Sequence, residues 1–388
     1  MEIKFYNCPK PETLDRQHLP PKADFITYKP DFSLMGKFVK DFEKYKNILI
    51  IGHGGSVTSF YGFYNALGQE VSKKAYFLSS TDPDYIYELK KQLKPTDTLV
   101  IPISKSGETT TQIEALMQFA EYPILAITGK ASTLRAITEK LSGEIYLHPT
   151  IGGRYTGITE VGLLPAAICG INVEGLYNGA KKWYEQYEQE NLAWKTASVL
   201  WQLEQQGFVD VFMPFYSRNL FFMSNIIIQL CHESFGKAGL GQTYFAHEAP
   251  ESQHHTNQRF FGGRKNICGF FNTVENFNHP TQNVFPPSVH SVQIKEHAIF
   301  DINKIPLEKS MEFEAQGTID DANIHSIPII SLSILNFSPE EIGGYLAFWQ
   351  LFAVYSSYLR KVDPFDQPQV ENSKVISFNK RLTYKGLL

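Results

Sequence analysis

Cysteine is scarce in this chain. Cys8, Cys169, Cys231 and Cys268 are the only four in 388 residues, and none pairs with another at CxxC spacing. That excludes a disulfide-stapled scaffold or a cysteine-built zinc site and points to reduced thiols. A basic excess is missing as well: 36 Lys and Arg stand against 40 Asp and Glu, for a formal net charge of -4. Nucleic-acid-binding domains need a marked positive surface, so no nucleic-acid partner is expected. No stretch reaches the roughly 18 consecutive apolar residues of a membrane helix. The nearest, "NLFFMSNIIIQLC", is too short and too polar. The opening "MEIKFYNCPKPETLDRQHLPPK" has no basic start followed by an apolar core. No secretory leader is therefore expected, and the expected setting is the cytoplasm. Cofactor fingerprints are absent too. "GHGGS" lacks the third glycine of GxGxxG, no acidic residue ends the following strand, and no GK[ST] appears. His247, His254 and His255 lie close together but without HxxxH spacing, so no metal is expected and a proton shuttle is the better chemistry for them.

What is present is a core-forming composition, 43% hydrophobic and 20% charged. From Asn47 to about His148, short apolar runs alternate with amphipathic ones. "NILIIG", "AYFLS", "DTLVIPIS", "YPILAIT" and "EIYLH" read as strands. "VTSFYGFYNAL", "PDYIYELKKQL", "TTQIEALMQFA" and "STLRAITEKL" read as helices. Such alternation predicts an α/β fold with a parallel sheet covered by helices on both faces. Its ligand site belongs beyond the carboxyl ends of the strands. Helices follow from about Gly157 to Gln206, "KKWYEQYEQENLAWKTASVLWQLEQQ" being the most regular stretch. A second alternation begins at "FVDVFMPF" and continues through the helix "NLFFMSNIIIQLCHESFGK" and strands near "NICGFF", "SVQIKEHAIF" and "IPIISLSIL". Two helices separated by "VDPFDQP" end the chain, and residues 272–288 read as a long loop. The expected division is an N-terminal unit with its arm over 1–185 and a C-terminal unit over 186–388.

Two strand-to-helix turns carry unusual residues. "SKSGETTT", Ser104 to Thr111, crowds five hydroxyls and Lys105 beside the helix start. Thr109 with Gln112 fits a capping box, but one cap needs only one hydroxyl. The surplus suits an anion at a helix N-terminus, where free N–H groups and the macrodipole favour negative charge. In "GHGGS" the glycines allow close backbone approach and Ser56 can donate from the next helix start. Beyond these turns, Arg154 in "GGRYTG" is flanked by glycines and a helix start, as suits a fixed guanidinium facing a developing oxyanion. Glu233 ends an apolar helix, four residues after Gln229 and on the same face, which suits a general base. Lys374 shares a helical stripe with Gln367 and Glu371, a pattern that by itself reads as an exposed helix.

Taken in order, "GHGGS", "SKSGETTT", "GGRYTGITEVGLL", "QLCHESFGK", "SQHHTNQ" and "FDQPQVENSK" resemble the signatures of the phosphoglucose isomerase family, over most of the chain from Asn47 on. The resemblance implies two subdomains of the sugar isomerase (SIS) fold, each a parallel sheet flanked by helices, with C-terminal helices packing across them. It implies interconversion of glucose 6-phosphate and fructose 6-phosphate through an enediolate, without a cofactor. By the same resemblance Ser56, Ser104, Lys105, Ser106 and Thr109 hold the phosphate, with Gly55 approaching closely. Glu233 moves the proton, Arg154 stabilises the enediolate, His254 and Lys374 open the ring, and Gln229 and Gln367 line the pocket. The family's active site is completed across a homodimer, so a shared site is expected. His53 stands where the family usually has an apolar residue. "PESQHHTNQ" replaces a Gly-rich lead, which leaves His255 beside His254 as a candidate for the same role. Two further readings are an isomerase that also accepts mannose 6-phosphate and a non-catalytic sugar-phosphate sensor.

Overall fold

The computed structural model of the chain describes residues 1–15, 19–68, 71 and 73–388. Two five-stranded sheets organise it. In the first, the strands run in the order Lys74–Leu78, Asn47–Ile51, Thr98–Ser104, Leu125–Thr128 and Glu144–Leu147, all parallel. All seven residues of Thr98–Ser104 are buried, as is usual for a strand covered on both faces, and this explains its near-continuous apolar sequence. The second sheet runs Glu2–Tyr6, Ile329–Ile334, Ile267–Val274, Asp210–Phe215 and Thr243–Glu248. Only its first pairing is antiparallel. The expected α/β architecture of two parallel sheets flanked by helices is what the chain adopts.

Several boundaries differ from the sequence expectation. The N-terminal arm does not stay with the first unit, because Glu2–Tyr6 pairs along the edge of the second sheet at Ile329–Ile334. "KKWYEQYEQENLAWKTASVLWQLEQQ" is not one helix. Val173–Tyr184 ends, and Asn191 opens Leu192–Gln205 by accepting from the Trp194 N–H. "SVQIKEHAIF" forms only the short pairing of Gln293–Ile294 with His297–Ala298, with most of the segment at the surface rather than in the core. Apolar helix content alone does not separate Arg218–Phe221 from Ser224–Phe235, which are distinct helices.

The helix Pro339–Arg360 holds the units together. Ser338 caps it by accepting from the Glu341 N–H, Pro339 occupies the first turn, and Lys361 ends it in the left-handed region. Nearly every residue from Ile342 to Ser357 is buried. Its sequence is apolar around the whole circumference, as a helix enclosed on every side requires. It packs against Val173–Tyr184, Leu192–Gln205 and Ser224–Phe235. The helix that carries Glu233 meets the first sheet's carboxyl edge directly, packing on Gly55–Leu67 and on the Gly153–Tyr155 turn. No helix among the described residues is long and apolar enough to cross a membrane.

Candidate active site

Three turns at the carboxyl end of the first sheet and one helix end from the second unit come together. The turn after Asn47–Ile51 places Gly54 at a φ of +53°, a conformation that favours glycine. Gly55 follows it into the helix Gly55–Leu67. A Cβ on Gly55 would stand 2.1 Å from the Gly153 carbonyl oxygen, and one on Gly54 would stand 2.7 Å from Gln229 Nε2. The close approach at Gly55 is therefore to the protein's own Gly153 peptide. These two contacts lock the turn to the Arg154 segment and to the Glu233 helix.

The turn after Thr98–Ser104 departs from a simple helix cap. Thr109 occupies the N-cap position of Thr110–Met117, yet its hydroxyl accepts no capping bond. Gln112 does not reach back to it, as a capping box would require. Its Nε2 instead donates to the carbonyls of Ile51 and Ile103, both at 2.9 Å, tying two strand ends together. Ser104 Oγ accepts from the Gly107 N–H at 3.0 Å, and Ser106 Oγ accepts from Glu108 N–H at 3.4 Å. Gly107 itself has a φ of +69°. Lys105 does not reach into the turn: its Nζ donates to the Thr150 carbonyl at 2.5 Å, joining the turn to the Arg154 segment.

Arg154 lies in a short 3-10 turn, Gly153–Tyr155, with only 2% of its surface exposed. Its Nε donates to Ser234 Oγ at 2.9 Å. Nη1 donates to Glu233 Oε2 at 3.1 Å and to Gln367 Oε1 at 2.8 Å. Nη2 donates to the carbonyls of Pro364 and Asp366, the latter at 2.9 Å. All five of its N–H donors are engaged. Tyr155 adds a hydroxyl contact to Ser234 at 2.9 Å. Glu233's other oxygen accepts from Gln229 Nε2 at 3.0 Å, and Gln229 Oε1 accepts from Thr58 at 3.2 Å. The carboxylate is thus aimed by an arginine on one side and an amide on the other. Lys237 pins the following loop by donating to the Asp363 and Asp366 carbonyls and to the Asp366 carboxylate.

Lys374 rides on the exposed helix Glu371–Tyr384, where its ammonium donates to Glu371 at 2.8 Å. Gln367 precedes this helix rather than sharing its stripe. That helix buries none of its residues and is clasped to Thr110–Met117 by a two-pronged Arg381–Glu114 pair at 2.6 and 2.8 Å. The Lys374 charge acts on His53, whose ring contacts Thr111 Oγ1 at 3.0 Å. Burial, with that ammonium as the second cause, holds the His53 pKa below the usual histidine value. Nearby His148 is pushed down to about 4, chiefly by burial, with the Lys105 charge acting in the same direction.

Glu233, Arg154, Gln229 and Gln367 thus form one bonded cluster, and the two turns abut it. His254 does not join them. It is exposed at the end of the short turn Glu251–His254 and bonds to no described residue. Gln253 beside it donates to Tyr216 and Thr318, just past the carboxyl ends of the second sheet. Glu233 lies at the opposite edge, where its neighbour His232 accepts from the Tyr244 N–H. The strand Thr243–Glu248 separates the two edges by about 17 Å. His255 contacts Thr256 and lies against the His247 ring, also away from the cleft. Among the described residues no group of His, Cys, Asp and Glu is arranged to hold a metal ion. Sequence reasoning missed Ser234 and Lys237, although both lie inside the quoted "QLCHESFGK". Their signal was proximity to Glu233; their partners lie far along the chain.

No protein-family model matches the chain. It is 27% identical over 376 residues to the glucose-6-phosphate isomerase of Carboxydothermus hydrogenoformans, covering 87% of this chain and 79% of that protein. It is likewise 27% identical over 384 residues to the glucose-6-phosphate isomerase of Listeria monocytogenes, covering 90% and 83%. Among solved structures, a hypothetical protein from Thermus thermophilus superposes with a TM-score of 0.82 at 26% identity, covering 92% of this chain and 89% of that one. A glucose-6-phosphate isomerase from Chlamydia trachomatis superposes with a TM-score of 0.77 at 18% identity, covering 91% and 73%, which bears on the fold alone.

Proposed function

We propose, from the premise that this chain belongs to the phosphoglucose isomerase family, that it interconverts glucose 6-phosphate and fructose 6-phosphate. The observation that carries the reading is the Arg154–Glu233 pair at 3.1 Å, with Gln229 steadying the other carboxylate oxygen at 3.0 Å. A carboxylate so aimed takes the proton from the carbon next to the sugar carbonyl and returns it to the adjacent carbon. Taking that proton makes Glu233 neutral and puts negative charge on the sugar oxygens. Arg154 keeps its own charge and meets that oxyanion with an N–H released from Glu233 or Gln367.

The phosphate sits at the Ser104–Thr109 turn, with Ser56, Ser104, Ser106 and the uncapped Thr109 hydroxyl as its partners and Lys105 as a bracing charge. Lys374 serves ring opening from its exposed helix. His254 lies exposed at the far edge of the second sheet, so a part for it in ring opening calls for a second copy, in a homodimer with shared sites. The setting is the cytoplasm. Nothing in the reaction calls on a metal or an organic cofactor.

The test is incubation of purified protein with fructose 6-phosphate in D2O, followed by NMR of the product. Glucose 6-phosphate carrying deuterium at C2 is the expected result. Sugar-phosphate binding with neither isomerisation nor exchange would make the protein a sensor instead. A parallel incubation with mannose 6-phosphate separates a strict isomerase from one that accepts both epimers, and sedimentation velocity reports the dimer.

A further inference from the structure

We propose that Lys237 is a positioning residue for the proton transfer, fixing the 363–366 loop that holds the Arg154 guanidinium beside Glu233; this inference rests on the isomerase reading. Residues 363–366 link the helix Pro339–Arg360 to the turn Pro368–Val370 and make no backbone–backbone hydrogen bond among the described residues. Two cationic side chains satisfy their carbonyls instead. Lys237 Nζ donates to the Asp363 carbonyl, to the Asp366 carbonyl at 2.7 Å and to the Asp366 carboxylate at 2.5 Å. Arg154 Nη2 donates to the Pro364 carbonyl and, at 2.9 Å, to the same Asp366 carbonyl. With two lone pairs, that one oxygen accepts from both cations.

Place in the chain gives Lys237 this reach. The helix Ser224–Phe235 ends at Gly236, and Lys237 follows directly. Ser234, on the same helix end, accepts from Arg154 Nε at 2.9 Å. One helix end thus supplies the transferring carboxylate, the anchor of Nε and the brace for the acceptors of Nη2. Only 10% of the Lys237 side chain is exposed, and its three N–H donors are spent on the loop, so its part is to position rather than to bind the sugar. To meet the oxyanion, Arg154 Nη1 gives up Glu233 or Gln367 while Nε and Nη2 stay bonded. The guanidinium plane is then set by Ser234 and the two loop carbonyls. The loop's other contacts, the Arg154 bonds and Phe365 against the Tyr155 ring at 5.3 Å, lie on the arginine's own segment. Among the described residues Lys237 is the polar tie from the loop to the end of the Glu233 helix. Without it, loop and arginine shift together relative to the carboxylate. Gln367, which accepts from Nη1 at 2.8 Å, adjoins Asp366 and shifts with them.

The test is Lys237→Met, which keeps the apolar stem and loses the ammonium. Its kcat for fructose 6-phosphate is expected to fall by about ten- to a hundredfold, as a misplacement near 1 Å does. KM is expected to stay within about threefold, because Lys237 bonds the loop and not the phosphate turn. Placed in Arg154→Lys, whose ammonium lacks the fork that spans the loop carbonyls, the same substitution is expected to cost less than about threefold more. Amide exchange across 363–367 is expected to quicken at least about tenfold. Where the methionine variant does not fold, Lys237→Gln, with two donors in place of three, is read by the same criteria. A kcat within about threefold of wild type in the folded variant would overturn the proposal. So would an equal loss in the wild-type and Arg154→Lys backgrounds, because Lys237 would then act apart from the arginine. A rise in KM that accounts for the whole loss would overturn it too, by making Lys237 a substrate ligand. Wild-type protein that binds the sugar phosphate without isomerising it, while Lys237→Met still quickens exchange in the loop, would overturn the isomerase reading and leave the Lys237 brace standing.

Discussion

Replacing Arg154 with lysine keeps the charge and removes the fork. The native guanidinium spends its five donors on Ser234, Glu233, Gln367 and two carbonyls of the 364–366 loop, at 2% exposure. An ammonium has three donors radiating from one atom, so at least two of these bonds are lost. Hydrogen bonds to a charged group contribute about 1.5 to 3 kcal/mol each. The loss of two is then about 3 to 6 kcal/mol, at the lower end where water reaches the partly exposed Glu233. For a chain of this size that is a fall in Tm of several degrees. The chemical step should suffer more specifically. Removing one fixed donor opposite a developing oxyanion typically costs 10²- to 10³-fold in kcat, and that is the expected loss here. The phosphate turn makes no bond to this side chain, so KM for fructose 6-phosphate should stay within about threefold. A dehydrogenase-coupled assay gives both constants, and differential scanning fluorimetry gives Tm. A kcat within tenfold of wild type, with Tm unchanged, would refute both the oxyanion role and the assigned bonding.

Gly55→Ala would force a Cβ to within 2.1 Å of the Gly153 carbonyl. Overpacking of about 1 to 3 kcal/mol and near-complete loss of turnover are expected, measured by urea unfolding and steady-state kinetics. His148 has its folded pKa depressed from 6.5 to about 4. The unfolded chain therefore binds the extra proton first, so stability holds above pH 6.5 and falls as pH drops towards 4, by about 3 kcal/mol in all. His148→Gln should flatten that part of the Tm-versus-pH curve; an unchanged acid limb would assign it to other groups. Arg381→Ala releases the helix that carries Lys374 from Glu114. Because this pair is partly exposed, Tm should move by about a degree or less. Amide exchange across 371–384 should nevertheless quicken and kcat fall, and unchanged exchange would show that the clasp does not hold the helix.

Much of the fold was legible because its strands are buried on both faces. "DTLVIPIS" and "NILIIG" carry too few polar residues to be anything but covered strands, and the turns after them are where a parallel sheet presents its ligand site. The first strand was not legible, because "EIKFY" pairs with residues more than three hundred positions away. In the hydroxyl-rich turn the capping-box reading fails, since Thr109 makes no capping bond. Gln112, taken for part of that cap, is in fact a brace between two strand ends, and nothing local distinguishes the two uses. Arg154, Glu233, Gln229 and Gln367 were singled out individually, yet their meeting depends on the helix Ser224–Phe235 packing on Gly55–Leu67 and on the Gly153–Tyr155 turn. His254 was named by its motif, and no local pattern reveals that it ends up at the far edge of its own sheet.

The most direct test of the account lies in Glu233. Wild-type protein and Glu233→Gln should be incubated with fructose 6-phosphate in D2O, and deuterium at C2 of glucose 6-phosphate followed by NMR, with sugar-phosphate binding measured in parallel. The account predicts at least about a hundredfold less deuterium incorporation in the variant while binding persists. Near-normal incorporation by Glu233→Gln would contradict it and place the transferring base elsewhere in the cleft.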